Sequence, residues 1–210
     1  MKPLSDFYPR IGTHVVGCPE PTMAQALVDS AIAFCEESLV QREVLDNLQT
    51  AANNNAYELD TPAQQQVARV ISVSRDGQIL KSIPADMKPA GTSQTGKPAG
   101  YYTRRNGSQL ELVLVPTPDK RYSLGIEVAL RPNRSATQLE DDLYELWVET
   151  VVAGAVARIT AIPNQPFSDP NKSVAAYASA LLGARRARNE GAFGRLRGSI
   201  TARINPQKFA

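Results

Sequence analysis

Apolar residues recur at helical spacing near both ends of this chain, and between those ends the spacing falls to two. That double change of period constrains the fold more than any other feature, because a segment patterned for a helix does not settle as a strand. Pro19 and Pro21 punctuate the first helical stretch, Thr22 and Gln25 have capping-box spacing, and Leu27, Ala31, Phe34 and Cys35 share one face through about Glu37. Residues 39–50 fit either state: Val40, Val44, Leu45 and Leu48 suit a helix, while the approach to NNNAYEL suits an extended segment. From Tyr57 the chemistry is β, with VARVISVS, a turn at Asp76-Gly77, and QILKSI. A Pro/Gly/Thr/Ser loop over 86–100 follows, then YYTRR, the hairpin signal Asn106-Gly107, QLELVLV, and RYSLGIEVAL closed by Pro132.

Helical period returns after Arg134. Ser135 with Gln138, or Thr137 with Glu140, offers a capping box, and Leu139, Leu143, Leu146, Trp147 and Val151 make a stripe. The small residues from Ala153 to Ala157 admit another backbone, and Pro163 and Pro166 end the helix. Asp169 offers an N-cap with Pro170 at the first helical position. Val174, Tyr177, Leu181 and Leu182 then mark the apolar face of a final helix, with Arg185, Arg186 and Arg188 in its last turn. Helix, strands, helices is the order of an α+β fold. The boundaries fall at 1–38, 39–133 and 134–190, leaving 191–210.

That remainder is electrically distinct. Gly183 to Ala210 carries seven Arg or Lys against one acid, Glu190, while the rest of the chain has 16 basic and 20 acidic residues. Glycines at 191, 194 and 198 and Pro206 thin its apolar density, yet Phe193, Leu196, Ile200, Ile204 and Phe209 are anchors that a solvated tail does not require. It reads as a basic arm that acquires structure by binding something, with a frayed terminus as the plainer alternative. Ile200, Ala202 and Ile204 alternate with Thr201 and Arg203, a period-two pattern that can add a strand to a neighbour's sheet edge.

Chemical signatures are incomplete. GTSQTGKP at 91–98 approaches a phosphate-binding loop, but Pro98 stands where Ser or Thr would hold magnesium, and Pro98 with Gly100 prevents the following helix. His14 and Cys18 are two potential metal ligands with no second pair, and His14 is the sole histidine. No nucleophile sits in a recognisable elbow. Glu140, Asp141 and Asp142 are consecutive and read as a solvated helix start; Glu111 and Glu127 read as surface positions on strands. No catalytic, cofactor or metal site is therefore expected. At 210 residues and 42% hydrophobic the chain can bury its own core. No apolar run reaches membrane-spanning length, MKPLSDFYPR lacks a secretory signal, and Cys18 and Cys35 are expected to stay reduced in a cytosolic setting.

GKPAGYY, LVLVPTPDKRYSLGIEVALRP, LYELWVETVVAGAVARI and PNQPFSDPNKSVAAYASALLGARRAR together resemble the head-to-tail adaptors of tailed bacteriophages. The likeness is strongest to the tail tubular protein A type of short-tailed phages and covers roughly residues 20–190. It rests on Gly96, Pro98 and Tyr101, on Pro116, Pro118 and Asp119, and on the helix pair joined through Pro163, Pro166, Asp169 and Pro170. Phe167 departs from the pattern, since many relatives carry tryptophan there.

The resemblance implies a bundle of one N-terminal and two C-terminal helices, joined to an antiparallel β-sandwich-like domain with an extended C-terminal arm. It implies a virion protein at the head-tail junction, made in the host cytoplasm. Copies would form a ring, commonly twelve-fold, between portal and tail tube or nozzle, with DNA passing through without sequence-specific contact. On that expectation the arm residues Arg195, Leu196, Arg197, Ile200, Arg203, Ile204 and Phe209 meet the portal, and the loop residues Thr92, Ser93, Gln94 and Thr95 meet the tail side. Two other classes stay open: a nucleic-acid-binding module using the basic tail on phosphates, and a small-molecule enzyme with acids hidden in the β domain.

Overall fold

The computed structural model describes residues 1–84, 94–107 and 109–193, side chains at 46, 47, 192 and 193 excepted. In chain order the elements are β1 (Lys2–Pro3), a 3-10 turn (Leu4–Phe7), α1 (Tyr8–Gly12), α2 (Glu20–Ser38), β2 (Arg42–Gln49), β3 (Ala56–Glu58), β4 (Gln65–Arg75), β5 (Gln78–Ile79) and β6 (Lys81–Ser82). Then come β7 (Thr95–Gly96), β8 (Gly100–Asn106), β9 (Gln109–Val115), β10 (Thr117–Pro118), β11 (Ser123–Pro132), β12 (Gln138–Leu139), α3 (Asp141–Glu145), α4 (Val148–Thr160) and α5 (Pro170–Phe193). The fold is mixed α+β, with separate helical and sheet clusters.

The helical cluster buries Phe7, Ile11, Leu27, Ala31, Cys35, Leu143, Val151, Ala155 and Ile159. Small residues set its geometry. A side chain at Gly154 would run into Ser30, and one at Gly183 would run into Thr150, so both glycines let neighbouring helices close up. In that tight seam Ser30 donates to the Val151 carbonyl at 2.6 Å, satisfying a buried hydroxyl. α2 ends on Leu39 in the left-handed region (φ 53°), whose amide bonds Cys35 O at 3.0 Å. Asp169 does cap α5, its carboxylate accepting from Lys172 N at 3.0 Å.

Two four-stranded sheets, ordered β2-β11-β4-β5 and β3-β9-β8-β6, share one buried cluster. Leu112 and Leu114 of β9 meet Val73, Leu124 and Ile126 of the other sheet there. Both turn signals form hairpins: Arg75 pairs with Gln78 across Asp76-Gly77, and Asn106 with Gln109 beyond Gly107. Positive φ values at Asp76 (47°), Gly77 (80°) and Gly107 (61°) explain the residue choice. β11 pairs across bulges on both flanks, the extra residues lying in β2 and β4. Leu45 opposes Ile126 while Leu48 opposes Leu124, and two further shifts interrupt its pairing with β4. Such irregularities add twist. The two clusters are joined by Arg131–Glu36 at 3.4 Å and Arg134–Asp29 at 2.9 Å, and by Gln64 Oε1, which accepts from Thr137 N at 2.7 Å.

Several local expectations change. The ambiguous stretch is extended, as β2, because β11 supplies a ladder that a lone helix would lack. α2 begins at Glu20 after Pro19, so Thr22 is already inside it; Pro21 costs nothing in a first turn whose amides have no helical partner. Gln138 and Leu139 pair with β1, so the C-terminal stripe starts as strand, and helix begins only at Asp141. The helix then breaks at Leu146–Trp147, leaving Leu146 exposed while Trp147 packs on Phe34 at 5.7 Å. α5 runs through Phe193, so Arg185, Arg186 and Arg188 lie well inside it and not in its last turn. Its three final residues come from the stretch assigned to the arm. Glu111 is buried, because the Arg104 and Asn106 side chains fold over it.

Candidate functional site

The largest surprise is which side of α5 faces inward. Ala184 and Ala187 are buried and Ala176 packs against the helical core, while the large apolar residues Val174, Tyr177 and Leu182 are 72%, 60% and 66% exposed. Of the face that sequence marks as apolar, only Leu181 is half-buried and the rest points outward, corrected by the space available: α4 approaches too closely at Gly183 for bulky side chains. Arg185 continues that outer stripe. Arg186 pairs with Glu190 at 2.9 Å, and Arg188 reaches Glu37 of α2 at 3.9 Å. Beside the stripe a cleft of about 190 Å³ opens between α2 and α5, walled by Ala33, Glu37, Tyr177 and Leu181 and floored by Ser30 and Gly154. Among the described residues nothing covers the three large apolar side chains of the stripe.

A second feature is the base of the 86–100 loop. Thr92 and Ser93 lie outside the described residues. Gln94 and Thr95 are exposed and fastened: Gln94 O accepts from Thr117 N at 3.0 Å, and β7 pairs in parallel with β10, Thr95 opposite Thr117. Ala99 N bonds Val115 O at 2.9 Å. Between them Pro98 is buried, and its carbonyl accepts from the guanidinium of Arg75, itself only 6% exposed. Arg75 also donates to Gln78 at 2.7 Å and lies 5.8 Å from the Tyr122 ring centre. Tyr122 donates to Asp119 Oδ1 at 2.7 Å, which holds the Asp119 carboxyl below its usual range and pushes the phenol up. So the final residues of the loop do not project. They are pinned by a polar hub centred on β4 and the turn after β10. Lys97 is exposed there and β8 follows it, which leaves no helix to receive phosphate.

The arm residues Arg195, Leu196, Arg197, Ile200, Arg203, Ile204 and Phe209 lie outside the described residues. Sequence reasoning missed Arg75 altogether, since an arginine closing a strand looks like surface charge. It also missed the inner α5 face, although Ala176, Ala180, Ala184 and Ala187 recur at helical spacing and are a readable signal. His14 is exposed and its carbonyl receives Lys172 Nζ at 2.6 Å; Cys18 and Cys35 are free thiols, Cys35 Sγ donating to Gln41 Oε1 at 3.4 Å, and burial pushes the Cys35 thiol well up. Among the described residues no three His, Cys, Asp or Glu converge on a metal position, and no helix is long and apolar enough to cross a membrane.

The chain belongs to the SU10 adaptor protein family, whose model matches residues 4–203, and it is a bacteriophage head-to-tail adaptor and virion component. None of the curated proteins matches it. Phe167, the departure from the resembling pattern, packs against the helical cluster.

Proposed function

We propose that copies of this subunit, a helical bundle set on a β-sandwich-like domain, form a ring between the portal and the tail tube or nozzle. The ring is twelve-fold and DNA passes its lumen without base-specific contact. The family match over 4–203 is the observation that carries this reading. The outer α5 stripe of Val174, Tyr177 and Leu182 supports the ring, because it is apolar surface that the described residues leave open to a neighbour. Contacts between unlike faces close readily on a symmetric template. The role is structural, with no turnover and no cofactor.

The arm supplies the portal contact. Leu196, Ile200, Ile204 and Phe209 anchor it, each contributing ~1.5–3 kcal/mol when fully covered. Ordering the chain costs roughly 1–2 kcal/mol per residue, so one arm binds weakly and a ring of arms binds well. Arg195, Arg197 and Arg203 pair with portal acids and set orientation. Thr92, Ser93, Gln94 and Thr95 face the next tail component. A chain ending at Phe193 should fold and fail to join the portal, whereas deletion of Thr92–Thr95 should spare the portal and impair the tail. Cryo-electron microscopy of virions that places this chain away from the portal–tail junction would sink the reading.

A further inference from the structure

Where the two sheets part, a cleft of about 710 Å³ opens between β4 and β8. Its β4 wall is the irregular stretch from Ala68 to Ile71, in which Ala68 and Ile71 are the extra residues left without an opposite in β11. Such irregularities bend a strand and re-aim its side chains, and they recur beside binding sites. On the facing wall Tyr101, Thr103 and Arg105 alternate along β8, so the face that starts in the core ends in a guanidinium. Arg69 thus stands on one wall and Arg105 on the other.

Neither arginine has an acid. Elsewhere Arg104 is paired with Glu111 at 2.6 Å and Arg131 with Glu36 at 3.4 Å. Arg69 and Arg105 form no ion pair or side-chain hydrogen bond among the described residues, and the cleft wall holds no Asp or Glu. Asp60 lies in an adjoining hollow that Arg105 also borders, yet it does not pair with it. Ser82 and Thr103 add side-chain hydroxyls, likewise without a hydrogen bond among the described residues. Two cations across one cleft favour an anion between them.

The rest of the wall decides which anion. Val70, Ile83 and Leu110 are half-buried and apolar, and an inorganic ion would leave them wet. Single-stranded nucleic acid stacks its bases on aromatic rings, but the aromatic in this wall, Tyr101, is only 5% exposed. A carboxylate matches the guanidinium fork, and apolar side chains beside it would cover the remaining wall. We infer that this cleft binds an acidic segment of another protein, with carboxylates on Arg69 and Arg105 and apolar side chains on Val70, Ile83 and Leu110. The inference goes beyond the ring and the arm and does not require the adaptor reading.

Fluorescence anisotropy on the full chain tests this, with a short labelled peptide that alternates glutamate and leucine as the probe. The peptide should bind, and salt should weaken it. Arg69→Gln/Arg105→Gln should weaken binding at least about tenfold, and Ser82→Trp, which fills the cleft without changing charge, about as much. Arg195→Gln/Arg197→Gln, from the basic tail, should change it by less than about twofold. Melting should be unchanged in the cleft variants, since these side chains hold no bond among the described residues. Failure of the full chain to bind would overturn the inference, and so would equal loss in the tail variant, which would reduce the effect to net charge. A thymidine oligonucleotide that binds more tightly and loses the same tenfold would assign the arginines to phosphate, against the inference. Peptide affinity that rises in Asp86→Asn, a position outside the described residues, would give the cleft to the chain's own acid and sink it as well.

Discussion

The helical and β clusters close in opposite ways. Around α4 the seam is made by absence: Gly154 and Gly183 have no side chain, and alanines line the inner face of α5. Between the sheets the space is filled by Leu112, Leu114, Leu124 and Ile126, all essentially without exposure. Where α5 meets α4 through small residues, the large side chains Val174, Tyr177 and Leu182 stay outside. The β cluster spends its apolar residues inward and holds its surface loop by polar bonds instead.

Four substitutions and one titration would break or sharpen that contrast. Leu112→Ala should cost the most, about 3–4 kcal/mol in denaturant unfolding, because the sheets cannot collapse onto the void. Gly154→Val should cost about 2–3 kcal/mol, by pushing on Ser30 and its bond to Val151; if it is neutral, close approach is not what shapes the helical seam. Arg75→Met should cost about 1–2 kcal/mol, leaving the Pro98 carbonyl unpaired, and hydrogen exchange should loosen at 94–99 while β9 stays protected. Leu182→Asp should change stability by no more than about 0.5 kcal/mol yet abolish ring formation on the portal, read by electron microscopy. Destabilisation there, with assembly intact, would make the outer stripe part of the core.

The smallest effect is a titration. The Arg104 guanidinium, 2.6 Å from Glu111 Oε2, and the Asn106 amide at 2.7 Å hold the Glu111 carboxyl below its usual range. A depressed folded value means that the unfolded chain takes up the proton first. The contribution is thus complete above the ordinary carboxylate range and is lost as pH falls through it toward the folded value. Glu111→Gln should flatten that acid limb slightly, and an unchanged melting profile at low pH would show the pair to be idle.

Much of this was readable from residue order. Asp76-Gly77 and Asn106-Gly107 fixed two hairpins because left-handed backbone leaves few residue choices, and Asp169-Pro170 marked a helix start for the same kind of local reason. What failed was tertiary. Val174, Tyr177 and Leu182 keep helical spacing whichever way they face, and only the proximity of α4 at Gly183 decides the side. The strand state of β2 depended on β11, some eighty residues away. Arg75 was invisible because its value lies in a carbonyl that the chain reaches after a loop. The adaptor resemblance, in contrast, was carried by turns and packing motifs spread along the chain, and the family match over 4–203 agrees with the family they pointed to.

The pinning of Pro98 and Ala99 has a mechanical meaning. Arg75 belongs to one sheet and Val115 to the other, and each grips one of these adjacent residues. Tension entering through the loop would therefore divide between two sheets before any strand could peel. A tail component seated on Gln94 and Thr95 would hang from the whole β half of the subunit, with the guanidinium acting as the rivet.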